Sequence, residues 1–144
     1  AGDIVLELDF TGGAALFALG HILAIILYRR HIRHGRTQGD RLIGALLIGL
    51  PVGIAWALTQ RAEVALYTLL LGSMASAAWS SQFPVRYTAL GATMFVVSDL
   101  LIFAQMGPLQ GIPAVSLLIW MLYFGGQYLI ALGGRHYLAN QQAA

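Results

Sequence analysis

An all-α, polytopic transmembrane bundle of about five spans is expected from three features. Of the 144 residues, 58% are hydrophobic and 10% are charged, against about 25% charged in soluble domains. Mean hydropathy is +0.74. The apolar residues gather into five runs, each close to the roughly 20 residues that cross a bilayer, and no strand-like alternation persists as a closed barrel would need. Residues 1–144 then form a single domain.

In chain order, the opening AGDIVLELDF has neither an initiator Met nor a basic leader. Residues 1–9 read as the end of an earlier helix or as a surface segment, with more chain expected before Ala1. The first span covers residues 10–28 and the second 42–59. Pro51 should kink the second span, and Gly49 and Gly53 beside it should let a neighbour approach closely. The third span is 62–79, and Phe83-Pro84 breaks the chain before the fourth, 85–106. Gly107-Pro108 and Gly111 make a tight turn, and Pro113 suits the first turn of the fifth span, 112–133. Trp56, Trp79 and Trp120 read as interfacial belt or core residues.

Arginine sets the orientation. All eight basic residues are Arg, and the loop YRRHIRHGRTQGDR holds five: Arg29, Arg30, Arg33, Arg36 and Arg41. The positive-inside rule makes residues 29–41 cytoplasmic. Strict alternation then puts Arg86, Arg135 and the C-terminus on that side and leaves Arg61 opposite. A multi-pass protein of the bacterial inner membrane is the expected setting. The loop's arginines serve as a topology signal or contact anionic headgroups. Because they sit in loops, a nucleic-acid surface is not expected. Without cysteine the chain has no thiolate metal or redox chemistry.

The functional candidates are the polar groups at membrane depth. Asp99 interrupts the run GATMFVVSDLLIFAQM. An aspartate there costs roughly 2.5–3.5 kcal/mol on insertion scales, while each Leu, Ile, Phe or Val returns about 0.3–0.6. Such a residue turns inward to a partner or a water-filled cavity, either as a functional group or as a protonated structural link. At 1.5 Å per residue, Asp99 lies about 10 Å from the end of its span near Met106, and His21 and Tyr123 each lie about 16 Å from theirs. Asp3 falls at about 9 Å if residues 1–9 finish an earlier helix. Two carboxyls, an imidazole and a phenol thus share one depth band, with Tyr67 shallower. Ser98 lacks the strand–turn–helix setting of a nucleophile and should hydrogen-bond Asp99 or its own backbone. Tyr67, Tyr123 and Tyr128 read first as packing residues, and Gln127, beside Gly125-Gly126, as a helix–helix hydrogen bond. No metal-binding spacing is present, so neither a metal nor a cofactor is expected.

At these residues the chain resembles the YhhN-type lysoplasmalogenase family of multi-pass membrane proteins. Gly2-Asp3 with Leu6, Phe17 to His21 with Tyr28, Tyr67 to Met74, GATMFVVSD (91–99) and YFGGQYLIALG (123–133) follow the family order. The resemblance implies an eight-helix protein of which this chain holds the last five and the end of the third. It also implies Asp3, His21, Tyr67, Ser98, Asp99, Tyr123 and Gln127 as site residues, with a lysophospholipid and water as substrates in a bed of membrane lipids. Characterised relatives hydrolyse the vinyl ether of lysoplasmalogens to a fatty aldehyde and a glycerophospho-base.

That chemistry needs a proton donor to carbon, an anion near the resulting oxocarbenium ion, and a positioned water. Two aspartates in different surroundings can divide the first two tasks. Asp99 or Asp3 would donate the proton, the other would stabilise the cation, and His21 would orient or deprotonate water. The competing classes are a proton-coupled carrier, in which the same residues form a relay, and a non-catalytic lipid-binding protein. Headgroup preference and oligomeric state are not legible in the sequence.

Overall fold

A computed structural model describes residues 10–142 of the chain. Among the described residues the fold is helical: α1 (Phe10–Arg30), α2 (Gln38–Thr59), α3 (Ala62–Trp79), α4 (Thr88–Gln105) and α5 (Pro113–Gln142). Four of these, α2 to α5, are long and apolar enough to cross a membrane. α1 is 21 residues long and leaves Leu16, Leu19, Ile22, Leu23, Ile26 and Leu27 exposed, as a lipid-facing helix would.

The helix ends differ from the apolar runs wherever local chemistry overrides hydropathy. α2 begins four residues before Leu42, because Thr37 and Asp40 form a reciprocal capping box. α4 starts at Thr88 rather than Val85. Pro84 O accepts from the N–H groups of Tyr87 (3.0 Å) and Thr88 (2.9 Å), so residues 85–87 form a turn. α5 continues past Gly133 to Gln142. There Tyr137 stacks on Phe83, with ring centroids 4.3 Å apart.

α3 and α4 form the centre: α3 packs against α1, α2 and α4, and α4 also packs against α2 and α5. Small residues set the two tightest crossings. A Cβ on Gly91 would lie 2.6 Å from Gly126 O, and one on Gly126 would lie 2.7 Å from Gly91 O. One turn toward the α4 N-terminus, Gly133 lies directly against Thr88. On the other side, a Cβ on Gly72 would meet Leu47 O at 2.6 Å, and one on Gly44 would meet Ser76 Oγ at 2.9 Å.

This corrects the expectation for Gly49 and Gly53, which have no atom within 4 Å of an added Cβ. The inward stripe of α2 is Gly44, Pro51 and Ala55. At 100° per residue, Gly49 and Gly53 point roughly the opposite way. Pro51 lacks the N–H that Leu47 O would accept, and this is the carbonyl that faces Gly72. The proline thus serves a close helix contact, and α2 is assigned as one helix throughout.

Two connections at one end, α1–α2 and α3–α4, are bound together. Ile32 and Ser81 form an antiparallel bridge, Arg33 N donates to Ser80 O (2.9 Å), and Gln82 N donates to His31 O (2.8 Å). Asp40 Oδ1 accepts from Arg33 Nη2 at 3.1 Å and from Trp79 Nε1 at 3.3 Å. With Tyr137 on Phe83, the start of α2 and the ends of α1, α3 and α5 meet at this end. It carries Arg29, Arg30, Arg33, Arg36, Arg41, Arg86 and Arg135, while Arg61 lies between α2 and α3 at the other.

Gly91→Ala is expected to destabilise the fold by about 1–3 kcal/mol, because its methyl meets a backbone carbonyl that cannot move aside. Gly49→Ala, in open space, should be neutral or gain up to about 1 kcal/mol from helix propensity. Thermal unfolding of the two detergent-solubilised variants makes the comparison. Equal midpoints would show that the α4–α5 crossing is not tight.

Candidate functional site

The site lies where α1, α3 and α4 face one another. On α4, Phe95, Asp99 and Phe103 are spaced four residues apart and so share one face. Asp99 is 6% exposed and Ser98 is fully buried. Tyr67, from α3, donates its hydroxyl proton to Asp99 Oδ2 at 2.8 Å. His21, from α1 and 6% exposed, brings Nε2 to 3.4 Å from Tyr67 Oη. Tyr67 has committed its only proton to the carboxyl, so its oxygen is the acceptor and His21 Nε2–H the donor. In that tautomer Nδ1 carries a free lone pair. The result is a directed chain from His21 through Tyr67 to Asp99, within a wall of low polarity.

Ser98 has two acceptors in reach, Phe95 O at 2.8 Å and Asp99 Oδ1 at 3.4 Å. The shorter bond goes to its own helix backbone, the usual habit of a helical serine. Asp99 Oδ1 is therefore the less committed carboxyl oxygen, and the atom best able to hold or give up a proton.

Aromatic rings enclose the chain. Phe95 meets His21 edge-on with centroids 5.5 Å apart, and Phe103 meets Tyr67 the same way at 6.3 Å. Phe17 lies 6.1 Å from Tyr123 of α5 and 6.2 Å from Phe95. Tyr123 is half-buried and lies 5.1 Å from Phe95. Among the described residues the backbone of α1 packs on α3 and not on α4 or α5, so these rings are what bridge that side.

Of the residues singled out from sequence, His21, Tyr67, Ser98 and Asp99 come together, with Tyr123 one ring away. Gln127 does not join them: it is exposed on α5 and makes no hydrogen bond to a described residue. The α4–α5 contact expected of it is made by Gly91 and Gly126 instead. Asp3 lies outside the described residues. Among the described residues no three His, Cys, Asp or Glu side chains group as a metal would require. Phe95 and Phe103 carry more of the site than their apolar character suggests, and their four-residue spacing from Asp99 is the signal that marks them.

The sequence profile of the YhhN family matches residues 1–134. The chain belongs to the YhhN family. No curated protein and no solved structure matches it. The buried chain of polar groups described above is therefore that of a YhhN-type membrane protein, and the matched region contains every residue of it.

The coupling between Tyr67 and Asp99 is directly measurable. In a cycle of Tyr67→Phe, Asp99→Ala and the double variant, the interaction energy in unfolding should be about 1–3 kcal/mol. A parallel cycle of Asp99→Ala with Gln127→Ala should be additive within about 0.5 kcal/mol. Additivity in the first cycle would mean that the phenol and the carboxyl do not interact.

Proposed function

We propose that this YhhN-family chain is a lysoplasmalogenase-like hydrolase that cleaves the vinyl ether of a lysoplasmalogen into a fatty aldehyde and a glycerophospho-base. The supporting observation is the chain His21–Tyr67–Asp99, which presents a carboxyl, a phenol and an imidazole at one depth inside an apolar bundle. Family membership points to the same class.

In this reading the slow step is protonation of the vinyl carbon. Asp99 Oδ1 is the donor or, with the proton supplied by Asp3, the anion that steadies the oxocarbenium ion. Tyr67 fixes the other carboxyl oxygen, so the reacting oxygen is held in place before substrate arrives. His21 Nδ1 accepts from the attacking water and takes its proton as the hemiacetal forms. Collapse of the hemiacetal releases aldehyde and alcohol. The aromatic wall excludes bulk water while offering ring faces to a transient cation. The alkenyl chain stays in hydrocarbon, and the arginine-rich end faces the cytoplasm.

A proton-coupled carrier would be favoured by a span broken at mid-membrane. α2 runs through Pro51 as one helix, so the hydrolase is preferred.

The test is aldehyde release from lysoplasmalogen by purified full-length protein in detergent or liposomes. Asp99→Asn should lower turnover by at least about 10²-fold while leaving helical content and lipid binding unchanged. His21→Ala should lower it in the same direction. Near-normal turnover by Asp99→Asn would remove that residue from the chemistry. No aldehyde from the native protein would leave the carrier and the non-catalytic lipid-binding protein, which proton-coupled flux in liposomes separates.

A further inference from the structure

The end of the bundle remote from Asp99 carries seven of the eight arginines. Among the described residues Asp40 is the only acidic side chain there, and it pairs with Arg33 alone, at 3.1 Å. Arg29, Arg30, Arg41, Arg86 and Arg135 are exposed, and Arg36 is partly so. None of these six has a carboxylate partner among the described residues.

A topology signal needs only a number of cations in a loop, and Lys would serve as well as Arg. Two features go beyond that requirement. The arginines come from the end of α1, two loops, the start of α2 and the end of α5, and these segments are fixed to one another. The Ile32–Ser81 bridge, the Arg33–Ser80 and Gln82–His31 backbone bonds, and the ring group of His31, Phe83 and Tyr137 hold them as one surface. Arg86 is held in turn, with its guanidinium 4.8 Å above the Tyr87 ring, which itself stacks on His136 at 4.9 Å. The second feature is residue type. All the cations are Arg, whose planar fork binds phosphate oxygens in pairs where Lys offers a point charge.

The position of this surface selects its partner. It caps helices apolar enough to cross a membrane, so it lies at headgroup level. We propose that the arginine-bearing end is a docking surface for anionic phospholipid headgroups, with Arg29, Arg30, Arg41 and Arg135 as principal contacts. Bilayer anions there face guanidinium groups without a carboxylate partner among the described residues, carried on backbone segments that are fixed to one another. This surface is independent of the chemistry at Asp99.

The experiment compares thermal unfolding of the full chain in nanodiscs of phosphatidylcholine alone and of phosphatidylcholine with phosphatidylglycerol. The anionic lipid should raise the midpoint on the order of a few degrees. That gain should vanish when salt rises from about 0.1 M to about 1 M, where the screening length falls from about 10 Å to about 3 Å. Replacing Arg29, Arg30, Arg41 and Arg135 by Gln should abolish the gain, while Arg61→Gln should keep it. Equal midpoints in the two lipids, a gain indifferent to salt, or a gain that depends on Arg61 would each overturn the proposal. Should the quadruple variant fail to fold, the salt series on the native chain decides.

Discussion

A carboxyl at hydrocarbon depth must find a donor within the protein, and the hydrogen bond from Tyr67 to Asp99 meets that need. Burying an aspartate in a span costs roughly 2.5–3.5 kcal/mol, and a hydrogen bond to a charged group returns about 1.5–3 kcal/mol. The two are of the same order, so one well-placed phenol changes Asp99 from a liability to a tolerable feature. Most of the internal architecture can be understood as holding that phenol and that carboxyl 2.8 Å apart. α3 and α4, which carry the pair, occupy the centre, and α2 and α5 pack outside them.

The outer packing relies on small residues because lipid gives helices little hydrophobic reason to associate. Reciprocal contact at Gly91 and Gly126 brings α5 onto α4, and Gly72 against Leu47 brings α2 onto α3. Each contact places backbone against backbone, so side-chain rearrangement cannot relax it. The rings of Phe17, Phe95 and Tyr123 then fill the side on which α1 faces α4 and α5.

Much of this was legible beforehand. Five apolar runs gave five helices, because span length and hydropathy are strong signals over 18 or more residues. Asp99 and His21 stood out by cost alone, since few groups at that depth are polar. Helix ends were less legible, as capping by Thr37–Asp40 and the turn after Pro84 depend on geometry that hydropathy averages away. The resemblance implies Tyr67 as a site residue, but its bridging place depends on side-chain geometry that backbone depth does not carry. Backbone depth places Tyr67 shallower than Asp99, yet its hydroxyl lies 2.8 Å from the carboxyl. Gly49 and Gly53 misled because composition near a proline does not say which face turns inward, whereas the Gly44–Pro51–Ala55 stripe does.

The uneven distribution of glycine contacts bears on how the bundle can move. α2 with α3 and α4 with α5 are each locked at a backbone-to-backbone crossing, so neither couple can be prised apart without losing its fit. Among the described residues α1 packs on α3 and meets α4 and α5 through aromatic side chains. Gly20 of α1 has no atom within 4 Å of an added Cβ. His21 therefore sits on the helix joined to α4 through aromatic rings, and its distance from the carboxyl of Asp99 is set by how Phe17 and Phe95 pack.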